Sequence, residues 1–203
     1  AAATIAVTYP HMNGIGGDAF WLISEPGRPP VGIDAAGRAG SLATRERYAR
    51  AGHDAIPERG VQAALTVAGA VSSWSVAGDI AAAMGGRIPR AELLADAVAK
   101  AKHGVPVART LAEITASHLA ELRDQLNFAA HFLVDGKAPE AGVLMRQAKL
   151  ADTLEQIAHV GYDDFYRGDV AAEIAADMEA HGGYVTREDL RSQEAREVKP
   201  LSA

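Results

Sequence analysis

Three glycines occupy four consecutive positions near the start of the chain, in Gly14-Ile15-Gly16-Gly17. Such a cluster is expected where the backbone takes conformations that a β-carbon forbids, or where another chain or a ligand approaches it closely. The run Ala19-Phe20-Trp21-Leu22-Ile23 that follows is short, apolar and stopped by Glu25-Pro26-Gly27, which predicts a buried strand. A glycine turn in front of a strand can expose backbone amides, and these amides could bind a ligand or another chain.

The glycines match the letters of a dinucleotide-binding fingerprint, Gly14-x-Gly16-x-x-Ala19, but not its structural context. That fingerprint needs a helix after the glycines, because the helix N-terminus holds the pyrophosphate. Here a strand is predicted instead, and Asp18 would face the phosphates with like charge. Nucleotide binding through residues 14–17 is therefore a minor alternative, and it predicts that nucleotides raise the thermal stability.

Composition narrows the classes of protein and partner. The chain has 203 residues, enough for one domain with a core, and its low aromatic content of 5% favours packed helices over a β-sandwich. A net charge of −6 argues against nucleic acid as a partner. No apolar run is long enough to span a membrane, and the absence of cysteine excludes disulfides and thiolate chemistry. The seven histidines lack metal-ligand spacing, so we expect no metal and no cofactor.

The chain divides into a glycine- and strand-rich zone, residues 1–70, and a mainly helical zone, residues 71–203. Residues 1–7 resemble the end of a helix whose beginning has been removed. Strands are predicted at 20–24, 31–34 and 64–67, with a hairpin loop at 25–30 and a further strand starting within 198–201. Apolar periodicity and glycine stops predict helices at 70–84, 90–103, 110–122, 149–159 and 169–180, and a capping box at 186–189.

The residues alone indicate no active site. Asp18 and Asp34 flank predicted strands, where two carboxylates can share acid–base chemistry or can accept backbone hydrogen bonds in turns. His11, beside the glycines, either holds that loop by hydrogen bonds or touches a substrate. Neither pair of alternatives is decided by spacing.

Several runs together resemble the γ-glutamyltransferase (glutathione hydrolase) family of N-terminal-nucleophile hydrolases. The segment Tyr9-Pro10-His11-Met12-Asn13-Gly14-Ile15-Gly16-Gly17-Asp18 is similar to the family's Glu-Pro-His-Met-Ser-Gly-Ile-Gly-Gly-Gly. Phe165-Tyr166-Arg167-Gly168 resembles its Phe-Tyr-x-Gly. Further matches follow in the family's order at Arg146-Gln147-Ala148-Lys149-Leu150, Gly182-Gly183, Asp189-Leu190 and Pro200-Leu201.

The resemblance implies an α/β (α+β) protein with a four-layer αββα N-terminal-nucleophile hydrolase fold, in which residues 1–203 form part of the large-subunit region. It also implies a precursor that cuts itself, with a catalytic threonine at the N-terminus of a downstream small subunit. That small subunit would be the partner, and no catalytic residue would lie in this chain. The implied substrates are γ-glutamyl compounds such as glutathione, and the implied location is either exported or cytoplasmic.

One position departs from the family pattern. The family carries an arginine that binds the substrate α-carboxylate, in a segment like Asp-Phe-Arg-Glu-x-Ala-Pro. Here the segment is Asp34-Ala35-Ala36-Gly37-Arg38-Ala39-Gly40, with Ala36 at the arginine position and Arg38 two residues later. Arg38 is the predicted substrate-carboxylate ligand, since residues two apart in a strand share a face, and Asp34 is predicted to hold that loop. The alternative for Arg38 is a surface or interdomain salt bridge.

This departure keeps alternatives open. Gly-Arg-Ala at this place resembles the branch that includes cephalosporin (glutaryl) acylases, whose acyl group lacks the α-amino group. The loss of the arginine also leaves a non-catalytic scaffold with the same fold as an alternative. A γ-glutamyl hydrolase or transferase stands first among these expectations.

Overall fold

The computed structural model of the protein describes residues 1–201. Its helices are α1 (Ala2–Thr8), α2 (Arg45–Arg50), α3 (Ala70–Ala83), α4 (Arg90–His103), α5 (Arg109–Leu122), α6 (Phe128–Phe132), α7 (Ala148–Val160), α8 (Asp164–Arg167), α9 (Asp169–Ala180) and α10 (Arg187–Arg191). Its strands are β1 (Ala19–Ile23), β2 (Val31–Ala35), β3 (Val105–Pro106), β4 (Leu144–Met145) and β5 (Arg196–Val198).

An antiparallel sheet in the order β1-β2-β5 joins the two ends of the chain. The predicted hairpin is confirmed, because Ala19 pairs with Ala35 and Ile23 with Val31. The inner face carries Trp21, whose indole N–H donates to Ser73 Oγ on α3 over 2.8 Å. The outer face leaves Phe20 and Leu22 69% and 71% exposed. Since β-strand residues alternate between faces, the sheet is packed on α3 and is open on its other side. The strand β1 is confirmed, but the prediction that it is buried is wrong, because only one of its faces is covered.

The main core lies between α4 and α7. Buried alanines on both helices, among them Ala97 and Ala151, remove side-chain bulk and let the helix axes approach. Leu154 and Ile157 on α7 are fully buried in the same cluster. Burial of each contributes about 1.5–3 kcal/mol to folding. The periodic residues that predict these helices are therefore the ones that form the core.

Helix ends follow the sequence signals. α4 and α9 have the predicted bounds, and α4 stops where Gly104 takes a φ of 98°, a conformation that glycine adopts without strain. α10 begins with the predicted capping box, in which Thr186 and Asp189 exchange hydrogen bonds between side chain and backbone. Within residues 1–201, no helix has the length and apolar character needed to cross a membrane.

Two strand predictions are wrong. Residues 64–67 form no strand and contribute only a single bridge, between Thr66 and Ala39. The segment runs antiparallel to the chain after β2 over this one pair, with hydrogen bonds from the Gly40 amide to the Leu65 carbonyl and from the Val67 amide to the Arg38 carbonyl, before α3 begins. The last strand lies earlier than residues 198–201, because β5 is set by pairing of Arg196 with Asp34 and of Val198 with Gly32.

Candidate functional site

Residues 36–40 follow β2 without regular secondary structure apart from a bridge at Ala39, and two carboxylates hold this segment, which we call the turn. Asp34 Oδ1 accepts from the Ala36 amide over 3.0 Å, and Asp18 Oδ1 accepts from the Gly37 amide over 2.8 Å. The two aspartates of the glycine-rich zone therefore bind consecutive amides of the same turn. Of the two roles expected for these aspartates, the structure shows the acceptance of backbone hydrogen bonds. These hydrogen bonds fix the direction in which the chain leaves the sheet.

A second support comes from backbone packed directly on backbone. A β-carbon on Gly37 would lie 1.7 Å from the carbonyl oxygen of Val67, and one on Gly69 would lie 1.9 Å from that of Ala35. The Val67 amide in turn donates to the Arg38 carbonyl over 2.9 Å. Only glycine allows these approaches, so the turn and the entry to α3 form one tight unit.

The third support comes from α10. Asp189 Oδ2 accepts from the Ser41 amide over 3.0 Å and from the Ser41 hydroxyl over 3.1 Å. The same carboxylate accepts from the Thr186 amide and hydroxyl, each over 2.8 Å. Burial alone would raise the pKa of Asp189, but these hydrogen bonds outweigh it and hold the pKa below its ordinary value. Asp189 is therefore ionised at neutral pH, and it ties the end of the turn to α10.

Gln193, just after α10, closes the arrangement. Its Oε1 accepts from the Arg38 amide and its Nε2 donates to the Ala36 carbonyl, each over 3.4 Å. The residue is 2% exposed. A cleft of about 220 Å³ lies beside it, lined by residues that include Tyr166 and Arg167. Neither Asp34 nor Arg38 lines that cleft.

Arg38 is an exposed cation without a hydrogen-bond or ion-pair partner in the part of the chain that the structure describes. Exposure alternates along the turn, with Asp34, Ala36 and Arg38 exposed while Ala35 is buried and Gly37 half-buried. Although β2 ends at Ala35, every second residue remains exposed as far as Arg38, as expected in an extended chain. Among residues 1–201, the Arg38 guanidinium has no ion-pair or hydrogen-bond partner. That it binds a substrate carboxylate stays a prediction, as does a role for Asp34 beyond the turn.

The glycine-rich segment differs from its expected geometry. Gly14, Gly16 and Gly17 have no positive φ, and no atom comes closer than 3.8 Å to a β-carbon placed on any of them. Within the described part of the chain, neither strain nor crowding requires these glycines. The remaining explanation, approach of another chain or a ligand, stays a prediction.

Gly17 contributes a carbonyl rather than an amide. It accepts from the amides of Gly69 and Ala70 at the start of α3, over 2.9 and 2.8 Å. A strand follows the glycines, so the helix that a dinucleotide fingerprint requires is replaced by β1.

His11 does not hold the loop by hydrogen bonds, as one of its two expected roles required. Both ring nitrogens are buried and have no hydrogen-bond partner within residues 1–201. The ring instead packs against Tyr9, with centroids 4.1 Å apart. Burial lowers the pKa of His11, so the neutral ring is favoured. In the same range of residues, no cluster of histidines and carboxylates could hold a metal ion.

The family model for gamma-glutamyltranspeptidase matches residues 1–203, the whole chain. The chain belongs to the gamma-glutamyltranspeptidase family. The resemblance found in its motifs is thereby confirmed.

Curated relatives within this family carry different names. The chain is 52% identical over 203 residues to the oxamate amidohydrolase proenzyme of Klebsiella pneumoniae, covering all of this chain and 38% of the relative. It is 32% identical over 201 residues to the glutathione hydrolase proenzyme of Escherichia coli, covering 98% of this chain and 34% of that one. The chain thus spans little more than a third of the length of these relatives.

Solved structures of the gamma-glutamyltranspeptidase type give the fold. The cephalosporin acylase from Bacillus halodurans superposes with a TM-score of 0.88 at 34% identity, over 100% of this chain and 38% of that chain. The gamma-glutamyltranspeptidase from Pseudomonas nitroreducens, complexed with L-DON, gives a TM-score of 0.83 at 32% identity, over 98% of this chain and 57% of that one. The predicted N-terminal-nucleophile hydrolase fold is confirmed.

Sequence reasoning misses two of the residues that build this gamma-glutamyltranspeptidase turn. The sequence marks Asp189 as a helix cap and as part of a family match, and neither signal predicts that it also binds Ser41. Gln193 has no local motif at all, and its partners lie 155 and 157 residues away. The one signal that could find it is register, since Gln193 precedes the strand that pairs with β2.

Proposed function

We propose that the complete protein is an amidohydrolase of the N-terminal-nucleophile type whose substrate is a small amide bearing a carboxylate, of the oxamate kind. Residues 1–203 would be part of its large subunit. The small subunit, formed from the same precursor, would carry a threonine at its new N-terminus. The large subunit would recognise the carboxylate through the turn at residues 36–40.

The observation that carries the proposal is the exposed Arg38 guanidinium, which has no partner within residues 1–201. It lies two residues after Ala36, where the family resemblance places a carboxylate-binding arginine. An arginine fork binds a carboxylate in two-point geometry, so a displaced arginine favours a carboxylate in a displaced position. In oxamate the carboxylate is bonded directly to the scissile carbonyl, whereas in a γ-glutamyl group three carbons separate them. The 52% identity to a relative named oxamate amidohydrolase supports the same class of substrate.

The proposed chemistry is acyl transfer to threonine and then to water. The threonine hydroxyl oxygen attacks the amide carbon while the threonine's own α-amine takes the hydroxyl proton. The amine returns that proton to the departing nitrogen, and ammonia leaves. Water then hydrolyses the ester, which releases oxalate and regenerates the threonine. In this scheme Arg38 binds and orients the substrate carboxylate and takes no part in proton transfer.

Two other substrates remain specific competitors. Hydrolysis or transfer of γ-glutamyl groups, including those of glutathione, is supported by relatives named glutathione hydrolase. A glutaryl amide is supported by the likeness to a cephalosporin acylase. The non-catalytic scaffold predicts that none of these substrates is hydrolysed.

The test uses the complete, processed protein and three substrates. Ammonia release from oxamate is compared with aniline release from the γ-glutamyl and glutaryl anilides, which differ from each other by one α-amino group. We expect the highest kcat/KM for oxamate. A higher value for the γ-glutamyl anilide refutes the proposed substrate and favours a glutathione hydrolase, and a higher value for the glutaryl anilide favours an acylase. A variant with alanine in place of the N-terminal threonine controls for contaminating activity.

A further inference from the structure

Gln193 lies where the ladder between β2 and β5 would continue beyond its last pair. Asp34 pairs with Arg196 in an antiparallel register. Gly37 lies three residues after Asp34, and Gln193 lies three residues before Arg196, so the same register brings Gly37 opposite Gln193. The backbone ladder has ended there, because Ala35 and Arg196 are the terminal strand residues.

The side chain of Gln193 takes the place of the missing backbone partner. It binds the carbonyl of Ala36 and the amide of Arg38, the two groups that flank Gly37, each over 3.4 Å. A neighbouring strand would satisfy the same two groups with its own N–H and C=O. The primary amide of glutamine carries the same donor and acceptor as a peptide.

Burial makes this contact hard to replace. Gln193 is 2% exposed, so a side chain without an amide would leave the Ala36 carbonyl and the Arg38 amide without this partner in a largely buried place. The two atoms it holds lie on either side of Gly37 and are covalently next to the Cα atoms of Ala36 and Arg38. A shift of this peptide segment therefore moves the base of the Arg38 side chain directly.

We propose that Gln193 is a positioning residue for carboxylate recognition, acting as a clasp that fixes the peptide segment from which Arg38 reaches the substrate. This inference rests on the proposed function of the turn, and it assigns Gln193 no contact with the reacting atoms. Its effect should therefore fall on substrate binding, with the chemical step largely preserved.

The test is Gln193→Met in the complete protein, which removes both hydrogen bonds at nearly constant side-chain length. We expect KM for oxamate to rise about tenfold, which corresponds to about 1.4 kcal/mol, while kcat changes less than about threefold. The inhibition constant of oxalate, the product carboxylate, should rise by the same factor as KM. The matched control is Gln156→Met on α7, where the glutamine makes one 3.5 Å hydrogen bond to Asp164, and it should leave both constants unchanged.

The outcomes separate the clasp from the substrate assignment. If Arg38→Ala raises KM but Gln193→Met does not, the clasp alone is overturned. If the wild-type protein prefers a γ-glutamyl or glutaryl anilide, the proposed substrate is overturned. The KM values of the wild type, Arg38→Ala and Gln193→Met are then compared on that anilide, and they show whether Gln193 positions Arg38. If no substrate is hydrolysed, or if both variants match the wild type, both proposals are overturned.

A variant that unfolds is replaced by a milder one. Gln193→Asn keeps the amide but withdraws it by one methylene, so it should also raise KM with kcat nearly preserved. A fall in kcat at constant KM, in either variant, contradicts a positioning role.

Discussion

Gly37→Ala is the perturbation whose cost follows most directly from the structure. The added β-carbon would lie 1.7 Å from the Val67 carbonyl oxygen and 3.2 Å from Asp18 Oδ1. Real contacts of this kind begin near 3.0 Å, so the two backbones must separate by about 1.3 Å. The Val67–Arg38 hydrogen bond, now 2.9 Å, cannot survive such a shift. Losing it, and straining the bond from the Gly37 amide to Asp18, should cost about 2–4 kcal/mol of unfolding free energy.

The assay is urea unfolding of the complete protein, followed by far-ultraviolet circular dichroism. Gly78→Ala on α3 is the matched control, because Gly78 has no positive φ and a β-carbon placed on it would meet no atom within 4 Å. It should change the unfolding free energy by less than about 1 kcal/mol, with slight stabilisation from a less flexible unfolded chain. If Gly37→Ala unfolds at the wild-type urea concentration, the tight packing of the turn against Val67 is refuted.

Three further substitutions test other parts of the site and its support. Arg38→Ala should lower kcat/KM for the preferred carboxylate substrate at least about tenfold, or about 1.4 kcal/mol, and unchanged kinetics would remove Arg38 from the site. Asp189→Asn should destabilise the protein at neutral pH. The folded pKa of Asp189 lies below the ordinary 3.8, so the carboxylate stabilises the fold above that value and loses this effect as the pH falls through the folded pKa. The difference in unfolding free energy between variant and wild type should therefore shrink in acid. A pH-independent difference would contradict this. Burial raises the pKa of Tyr166 to about 12, and its hydroxyl accepts from the Ser72 amide and donates to the Ala68 carbonyl. Tyr166→Phe should therefore cost about 1–3 kcal/mol in urea unfolding, and wild-type stability would show that water replaces the phenol.

The helices are predictable because their signals are local. α4 combines an apolar stripe with a glycine at its end, and both lie within one segment of chain. The same holds for the hairpin, whose loop residues lie between the two strands they join. Residues 64–67 are wrongly predicted as a strand because an apolar run does not indicate whether a partner strand is available to pair with it. In the fold, this segment pairs with the chain after β2 through one bridge, between Thr66 and Ala39, and two flanking backbone hydrogen bonds, which is too short for a strand.

The site is predictable only where the family motif marks it. Arg38 and Asp34 stand in the segment where the chain departs from the family pattern, and the structure leaves both exposed, Asp34 in β2 and Arg38 just after it. Their role in substrate binding stays a prediction. The groups that hold this turn come from elsewhere, since Asp18 binds across β1 and β2, and Gln193 binds from near the other end of the chain. Such contacts depend on strand register and on backbone approach at Gly37, neither of which leaves a periodic pattern in sequence.

The most direct measurement is a crystal structure of the complete, processed protein with oxalate bound. The predicted result is one oxalate carboxylate within hydrogen-bond distance, about 3 Å, of the Arg38 guanidinium, with the turn at residues 36–40 unchanged. A carboxylate held by other residues, with Arg38 still free in solvent, would contradict carboxylate recognition by this turn.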